Sequence, residues 1–99
     1  METPGAQNMR RSLHVLRALA AHQEEGLSVN EVMEITALER STTHRLLTCL
    51  VEEQFAERDA HSRRYRLGLE AMRLGFASLK RAPLLAVFQP PLERPAPPS

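Results

Sequence analysis

Apolar positions recur along this chain with two different periods, and the switch between them marks its organisation. From Met9 to about His22 the spacing is helical. Met9, Leu13, Leu16 and Ala20 fall on one stripe, with Val15 and Leu19 on a second stripe beside it. A helix with two apolar stripes usually has two neighbours: the domain core, and either a second helix or a second subunit. "HQEEGL" closes the segment, with Gly26 as the breaker. Ser28 followed three residues later by Glu31 is a capping box, which predicts a second helix whose inner side is Val32 and Met33, flanked by Val29 and Thr36. "TALE" then leaves little room to turn before a third helix.

That third helix has two distinct sides. At 100° per residue, Thr43, Leu46, Leu47, Leu50 and Val51 share one face. Ser41, Arg45, Thr48 and Glu52 lie opposite, with Thr42 and Cys49 on the flank. The period then drops to two. "FAER" and "RYRL" read as short strands around the turn-rich loop Asp59–Arg63, giving a β-hairpin that Gly68 ends. "LEAMRLGFASLK" returns to helical spacing, with Leu69, Met72, Phe76 and Leu79 on one stripe and Ala71, Leu74, Gly75 and Ser78 on another. Small residues at that spacing suit close helix–helix approach and equally a solvated face.

The order helix, helix, turn, helix, hairpin, helix is that of a winged helix-turn-helix, mainly α with a small β-hairpin wing. The expected organisation is a disordered lead-in over residues 1–8, a winged helix-turn-helix over 9–68, a linker helix over 69–82 and a Pro-rich tail over 83–99. The tail holds six of the seven prolines and does not build a packed core.

Composition narrows the function classes. A single cysteine, Cys49, rules out an internal disulfide or thiolate zinc site, and the four histidines lack ligand spacing, so no metal or other cofactor is expected. No apolar run reaches the roughly 18 residues of a membrane span, and the start lacks a signal-peptide apolar region. The expected setting is cytoplasmic, without membrane contact. No nucleophile–base pair or Gly-rich phosphate loop is visible, which argues against an enzyme.

The net charge of +1 is uninformative on its own, but the arginines are clustered. Arg45 is central on the polar side of the third helix, and Arg pairs bidentately with guanine O6 and N7. Ser41, Thr42 and Thr48 are short donors suited to phosphates or base edges. Arg40 at the first turn suits a phosphate, and His44 is a further candidate contact. The hairpin adds Arg58, Arg63, Arg64 and Arg66, with Arg64 and Arg66 on one face, Tyr65 and Leu67 on the other, and Arg63 at the tip. A Ser/Thr/Arg helix face is by itself usually solvated, and hairpin arginines often only protect an edge strand. Both clusters at helix-turn-helix spacing point to double-stranded DNA, with the candidate contacts Arg40, Ser41, Thr42, His44, Arg45, Thr48, Arg63 and Arg64.

The stretch from "LHVLRALAAH" to "RRYRLGLEAMRLG" resembles the N-terminal DNA-binding domain of the IclR family of bacterial transcriptional regulators. "RSTTHRLLTCLVEE" and "YRLG" are its most specific parts, and the resemblance runs over about residues 9–94. It implies a homodimer on a palindromic operator, with the recognition helix in the major groove and the wing at the backbone. It places Arg40, Ser41, Thr42 and Arg45 at contact positions. It also implies dimer contacts near the first and linker helices, and so assigns their second stripes, Val15 and Leu19 together with Ala71, Leu74, Gly75 and Ser78, to dimerisation.

Three positions depart from the family pattern: Ala37 where Gly is usual in the turn, Glu39 where Pro is frequent, and Thr43 where Val is preferred. The family-like sequence stops after Arg94. The expectation is therefore a truncated or frame-shifted product or a natural short relative, with no small-molecule effector. The alternative function is a winged-helix interaction module that pairs with a full-length relative and reads no DNA itself.

Overall fold

Short-range signals account for each helix in the computed structural model, which describes residues 3–81. The elements are α1 (Gln7–Ala21), α2 (Val29–Thr36), α3 (Arg40–Glu52), β1 (Ala56–Arg58), β2 (Tyr65–Leu67) and α4 (Leu69–Ser78). The expected Pro-rich tail, and residue 82 of the expected linker helix, lie outside the described residues; α4 ends at Ser78, short of the expected 69–82, and residues 79–81 form a turn and bend. Helix α1 begins two residues before the Met9 start expected from the stripe, inside the segment expected to be disordered.

The capping box forms as the spacing predicts. The Glu31 N–H donates to Ser28 Oγ at 3.2 Å, and the Ser28 N–H donates to Glu31 Oε1 at 2.9 Å. Two of the orphan donors at the start of α2 are thereby satisfied. Helix α2 ends at Ala37, whose φ of 60° is left-handed and whose N–H bonds to the Met33 carbonyl at 2.8 Å. Helix α3 ends in a Schellman arrangement around Gln54, itself at φ 67°: the Gln54 N–H bonds to the Val51 carbonyl, and the Phe55 N–H to that of Leu50. Both turns thus place a side chain where glycine is favoured.

Val15, Ala18 and Leu19 of α1 meet Leu27, Val32, Leu46, Leu47, Leu50, Ala56 and Tyr65 in one core. This overturns the assignment of Val15 and Leu19 to a dimer surface. Both are completely buried, whereas Met9 is 67% and Leu13 41% exposed. Ala18 explains the reversal. It joins Val15 and Leu19 in an i, i+3, i+4 face, and its small side chain lets that face approach α2 and α3 closely. The stripe expected to face inward therefore starts on the surface, and only Leu16 of it packs against the core.

Strands β1 and β2 pair antiparallel with Ala56 opposite Leu67 and Arg58 opposite Tyr65. A third, one-residue partner joins them: the Leu27 N–H donates to the Tyr65 carbonyl at 3.0 Å, and the Tyr65 N–H to the Leu27 carbonyl at 2.8 Å. The preceding Gly26 has φ 76°, and a Cβ there would lie 3.1 Å from Arg64 Cβ and 3.2 Å from the Tyr65 carbonyl oxygen. At Gly68 a Cβ would come within 2.6 Å of the Gln54 carbonyl oxygen. Gly68 is required by close backbone approach, and Gly26 by its left-handed φ together with a tight fit. Helix α4 then leaves the domain with no buried residue, exposing Leu69, Met72, Leu74 and Phe76.

Two strained or unsatisfied positions make stability predictions. Thr43 is fully buried and its Oγ1 has no hydrogen-bond partner, while Ala37 bears the left-handed penalty. Thr43→Val and Ala37→Gly are each expected to stabilise the domain by about 1 kcal/mol, a rise of roughly 4–8 °C in Tm. Thermal melts followed by circular dichroism measure both. An unchanged or lower Tm for Thr43→Val would mean that the hydroxyl is satisfied after all.

Candidate nucleic-acid interface

The outward side of α3 is built by what its inward side must do. Thr43, Leu46, Leu47 and Leu50 are buried, so Ser41, His44, Arg45, Thr48 and Glu52 stand exposed on the surface. Glu39 occupies the N-cap with extended backbone but makes no capping bond with its side chain. The first-turn N–H groups of α3 are therefore not capped by the Glu39 side chain, and an anionic oxygen is a natural partner for such groups.

Between α3 and the hairpin runs a groove of about 660 Å³. Arg40, His44 and Thr48 line it from α3, Arg58 and Arg63 from the wing, and Ser28 and Asn30 from the start of α2. Sequence reasoning missed this last contribution. The capping box marked where α2 begins, but only packing brings that end beside α3. There Asn30 Oδ1 accepts a hydrogen bond from the Arg40 guanidinium. Along the outer face of α3, Ser41, His44, Arg45, Thr48, Cys49 and Glu52 border a second, shallower depression. Glu52, on the same polar side of α3, borders both concavities.

The wing presents its arginines unequally. Its tip is organised by Asp59, whose Oδ1 accepts from the N–H groups of His61 at 2.8 Å and Ser62 at 3.0 Å. Those bonds hold the Asp59 carboxyl below its usual pKa, with a smaller contribution from Arg66. The turn raises Arg63 on a left-handed backbone, φ 63°, and its side chain makes no hydrogen bond or ion pair among the described residues. The Arg58 guanidinium sits 6.0 Å from the centre of the Tyr65 ring.

Arg64 and Arg66 turn the other way. Arg64 Nη1 donates to Glu31 Oε1 at 2.8 Å and to the Gly26 carbonyl at 2.9 Å. Arg66 donates to the carbonyls of Gln23, Glu24 and Glu25. The shared face that two-residue spacing predicted for this pair exists, but it faces the turn between α1 and α2. Of the eight candidate contacts, Arg40, His44, Thr48 and Arg63 gather at the groove. Ser41 and Arg45 stand along α3, Thr42 on its flank is half-buried, and Arg64 is committed to Glu31.

Comparison with known proteins places the fold in a family. Residues 9–60 match the IclR helix-turn-helix domain. The chain belongs to the IclR family. It is 38% identical over 69 residues to the glycerol operon regulatory protein of Streptomyces coelicolor, covering 70% of this chain and 27% of that protein. To the HTH-type transcriptional regulator BhcR of Paracoccus denitrificans it is 29% identical over 93 residues, covering 94% of this chain and 33% of the relative. The crystal structure of Pseudomonas aeruginosa HmgR superposes with a TM-score of 0.70 at 31% identity, over 81% of this chain and 32% of that one. The chain therefore spans about a third of the length of these IclR-family relatives, and that third is the winged helix-turn-helix. The first two of these relatives are named as regulators. No helix among the described residues is long and apolar enough to cross a membrane.

The carboxylates that organise this region predict an acid response. Glu31, held down by the Ser28 N–H and by Arg64, and Asp59 both ionise more readily in the folded chain than their ordinary values of 4.5 and 3.8. The unfolded chain therefore takes up protons first as the pH falls. The stabilisation is complete above about pH 5 and is lost as the pH drops through each group's folded pKa. Melting temperatures are expected to stay level down to about pH 5 and to decline below it. Glu31→Gln should make that decline shallower, and an equally steep decline would remove Glu31 from the account.

Proposed function

We propose that this IclR-family domain binds double-stranded DNA as a homodimer on a palindromic operator and thereby regulates transcription. One observation carries the reading: Arg40, His44 and Thr48 of α3 and the wing arginines Arg58 and Arg63 line one groove, with Glu52 the single carboxylate in its lining, while Ser41 and Arg45 stand exposed beside it along α3. Helix α3 enters the major groove with Arg45 toward base edges, while Ser41, Thr42, Thr48 and His44 serve as shorter contacts. Arg40 and the first-turn N–H groups hold a phosphate, and Arg63 reaches the flanking backbone or minor groove. The relatives' names, a glycerol operon regulatory protein among them, support regulation of this kind. Glu39, an exposed carboxylate at the start of α3, opposes phosphate approach and moderates affinity.

Dimerisation rests on exposed apolar surface. Ala71, Leu74, Gly75 and Ser78 lie on α4, of which nothing is buried in the protomer, and Phe76 is 63% exposed beside them. On α1 the available apolar residues are Met9 and Leu13 in place of Val15 and Leu19. The same exposed α4 favours a second reading, an interaction module that pairs with a full-length relative without reading DNA. Co-purification with such a relative, accompanied by loss of operator binding in the mixture, would favour it.

Fluorescence anisotropy with palindromic and mixed-sequence duplexes over a salt series tests the DNA reading. Affinity should fall steeply with salt. Arg45→Ala should lose about 1–3 kcal/mol of discrimination between sites, and Arg63→Ala should reduce the salt slope by about one at every sequence. A flat salt dependence, or full discrimination by Arg45→Ala, would defeat the proposal.

Light scattering tests the assembly. The parent should run as a dimer, and Leu74→Glu and Phe76→Glu should halve the mass while leaving the helical content of the domain intact. A parent that is strictly monomeric at high concentration would refute the homodimer.

A further inference from the structure

Residues 64–67 are stitched to the turn between α1 and α2 far more densely than a wing needs merely to close its own hairpin. The Leu27–Tyr65 bridge supplies two backbone bonds. The Gln23 side chain acts as one more strand residue: its Nε2 donates to the Leu67 carbonyl at 3.3 Å and its Oε1 accepts from the Leu67 N–H at 2.8 Å. Arg66 lies across the carbonyls of residues 23–25, where α1 has just ended and cationic groups are favoured. Arg64 completes the row by reaching Glu31 and the Gly26 carbonyl with one nitrogen.

We infer that Arg64 and Arg66 are positioning residues that lock the wing onto the α1–α2 turn, so that the wing's DNA contacts are made by Arg63 and Arg58. The inference rests on the DNA-binding reading and refines which wing cations act in it. Arg64 is a neighbour in sequence of Arg63, yet its guanidinium is on the opposite errand. Glu31, the residue it grips, is already fixed as the capping carboxylate of α2. The wing is thereby referenced to the helix that precedes the recognition helix. A hairpin held only by its two three-residue strands would be free to twist, because so short a ribbon is marginal alone. With the strap in place, Arg58 and Arg63 face Arg40 and His44 across a groove of fixed width.

Two readouts test this. The first needs no DNA: hydrogen exchange of the Leu27, Tyr65 and Leu67 amides in the free protein. Arg64→Met should speed exchange at these amides about tenfold, and Arg63→Ala should leave it unchanged. The second is binding to a mixed-sequence duplex over a salt series. Arg64→Met should weaken binding several-fold with the salt slope unaltered, whereas Arg63→Ala should lower the slope by about one. Glu31→Ala removes a negative charge and so should strengthen binding if charge alone mattered. The strap predicts that it weakens binding, and that the double variant is no worse than the weaker single one.

A salt slope lowered by about one in Arg64→Met, with Glu31→Ala binding as well as the parent or better, would make Arg64 a phosphate ligand and overturn the inference. Unchanged amide exchange in Arg64→Met would overturn it equally. A parent that binds no duplex would refute the DNA reading, and the exchange readout would then decide the strap on its own.

Discussion

The pairing of Leu27 with Tyr65 is the constraint on which the rest of the molecule depends. It is a single bridge of two backbone bonds, but it joins three separate parts: the end of α1, the start of α2 and the returning strand of the wing. Both of its side chains are buried in the core, so the hydrogen bonds form in a place that water does not compete for. Gly26 suits it because the backbone there is left-handed, φ 76°, and a side chain would fit only tightly beside Arg64 and the Tyr65 carbonyl. The bridge ties the wing to the turn that precedes α2.

The small core puts the same premium on economy. Helix α3 must bury one side completely to hold its other side outward, and it does so with Leu46, Leu47 and Leu50 together with Thr43. A buried hydroxyl without a partner, and the three side chains of Ala37, Gln54 and Arg63 on left-handed backbone, are costs that a domain of this size carries only because its remaining contacts are well satisfied. The capping box, the Schellman turn and the Asx-type tip of the wing each satisfy backbone groups locally. They leave the scarce apolar burial to fix the arrangement of helices.

Charge is handled in a comparable way. With thirteen basic and twelve acidic residues the chain is almost neutral, so no general field draws it toward nucleic acid. What matters is where each arginine is spent. Arg64 and Arg66 neutralise carbonyls and a carboxylate within the domain, whereas Arg45 and Arg63 reach solvent. The first pair strengthens the frame, and the second pair is available to a ligand.

Much of this was legible in the sequence. Helical and two-residue periods located the four helices and the hairpin, because side-chain direction repeats with the backbone geometry that produces it. The Ser28–Glu31 cap and the two faces of α3 followed from spacing within a few residues. Periodicity could not say which of two apolar stripes on α1 meets the core, because both satisfy the same repeat. The close approach permitted at Ala18 selected Val15 and Leu19 and turned Met9 and Leu13 outward. Nor could it distinguish Arg63 from Arg64. Adjacent arginines in a hairpin look alike until the chain folds and brings Glu31 and Gly26, more than thirty residues away, beside one of them. The sequence by itself determined the order of the elements, the cap of α2 and the two sides of α3, which depend on neighbours along the chain. Only the tertiary structure decided which surfaces are buried and which cations are already paired, since those depend on neighbours in space.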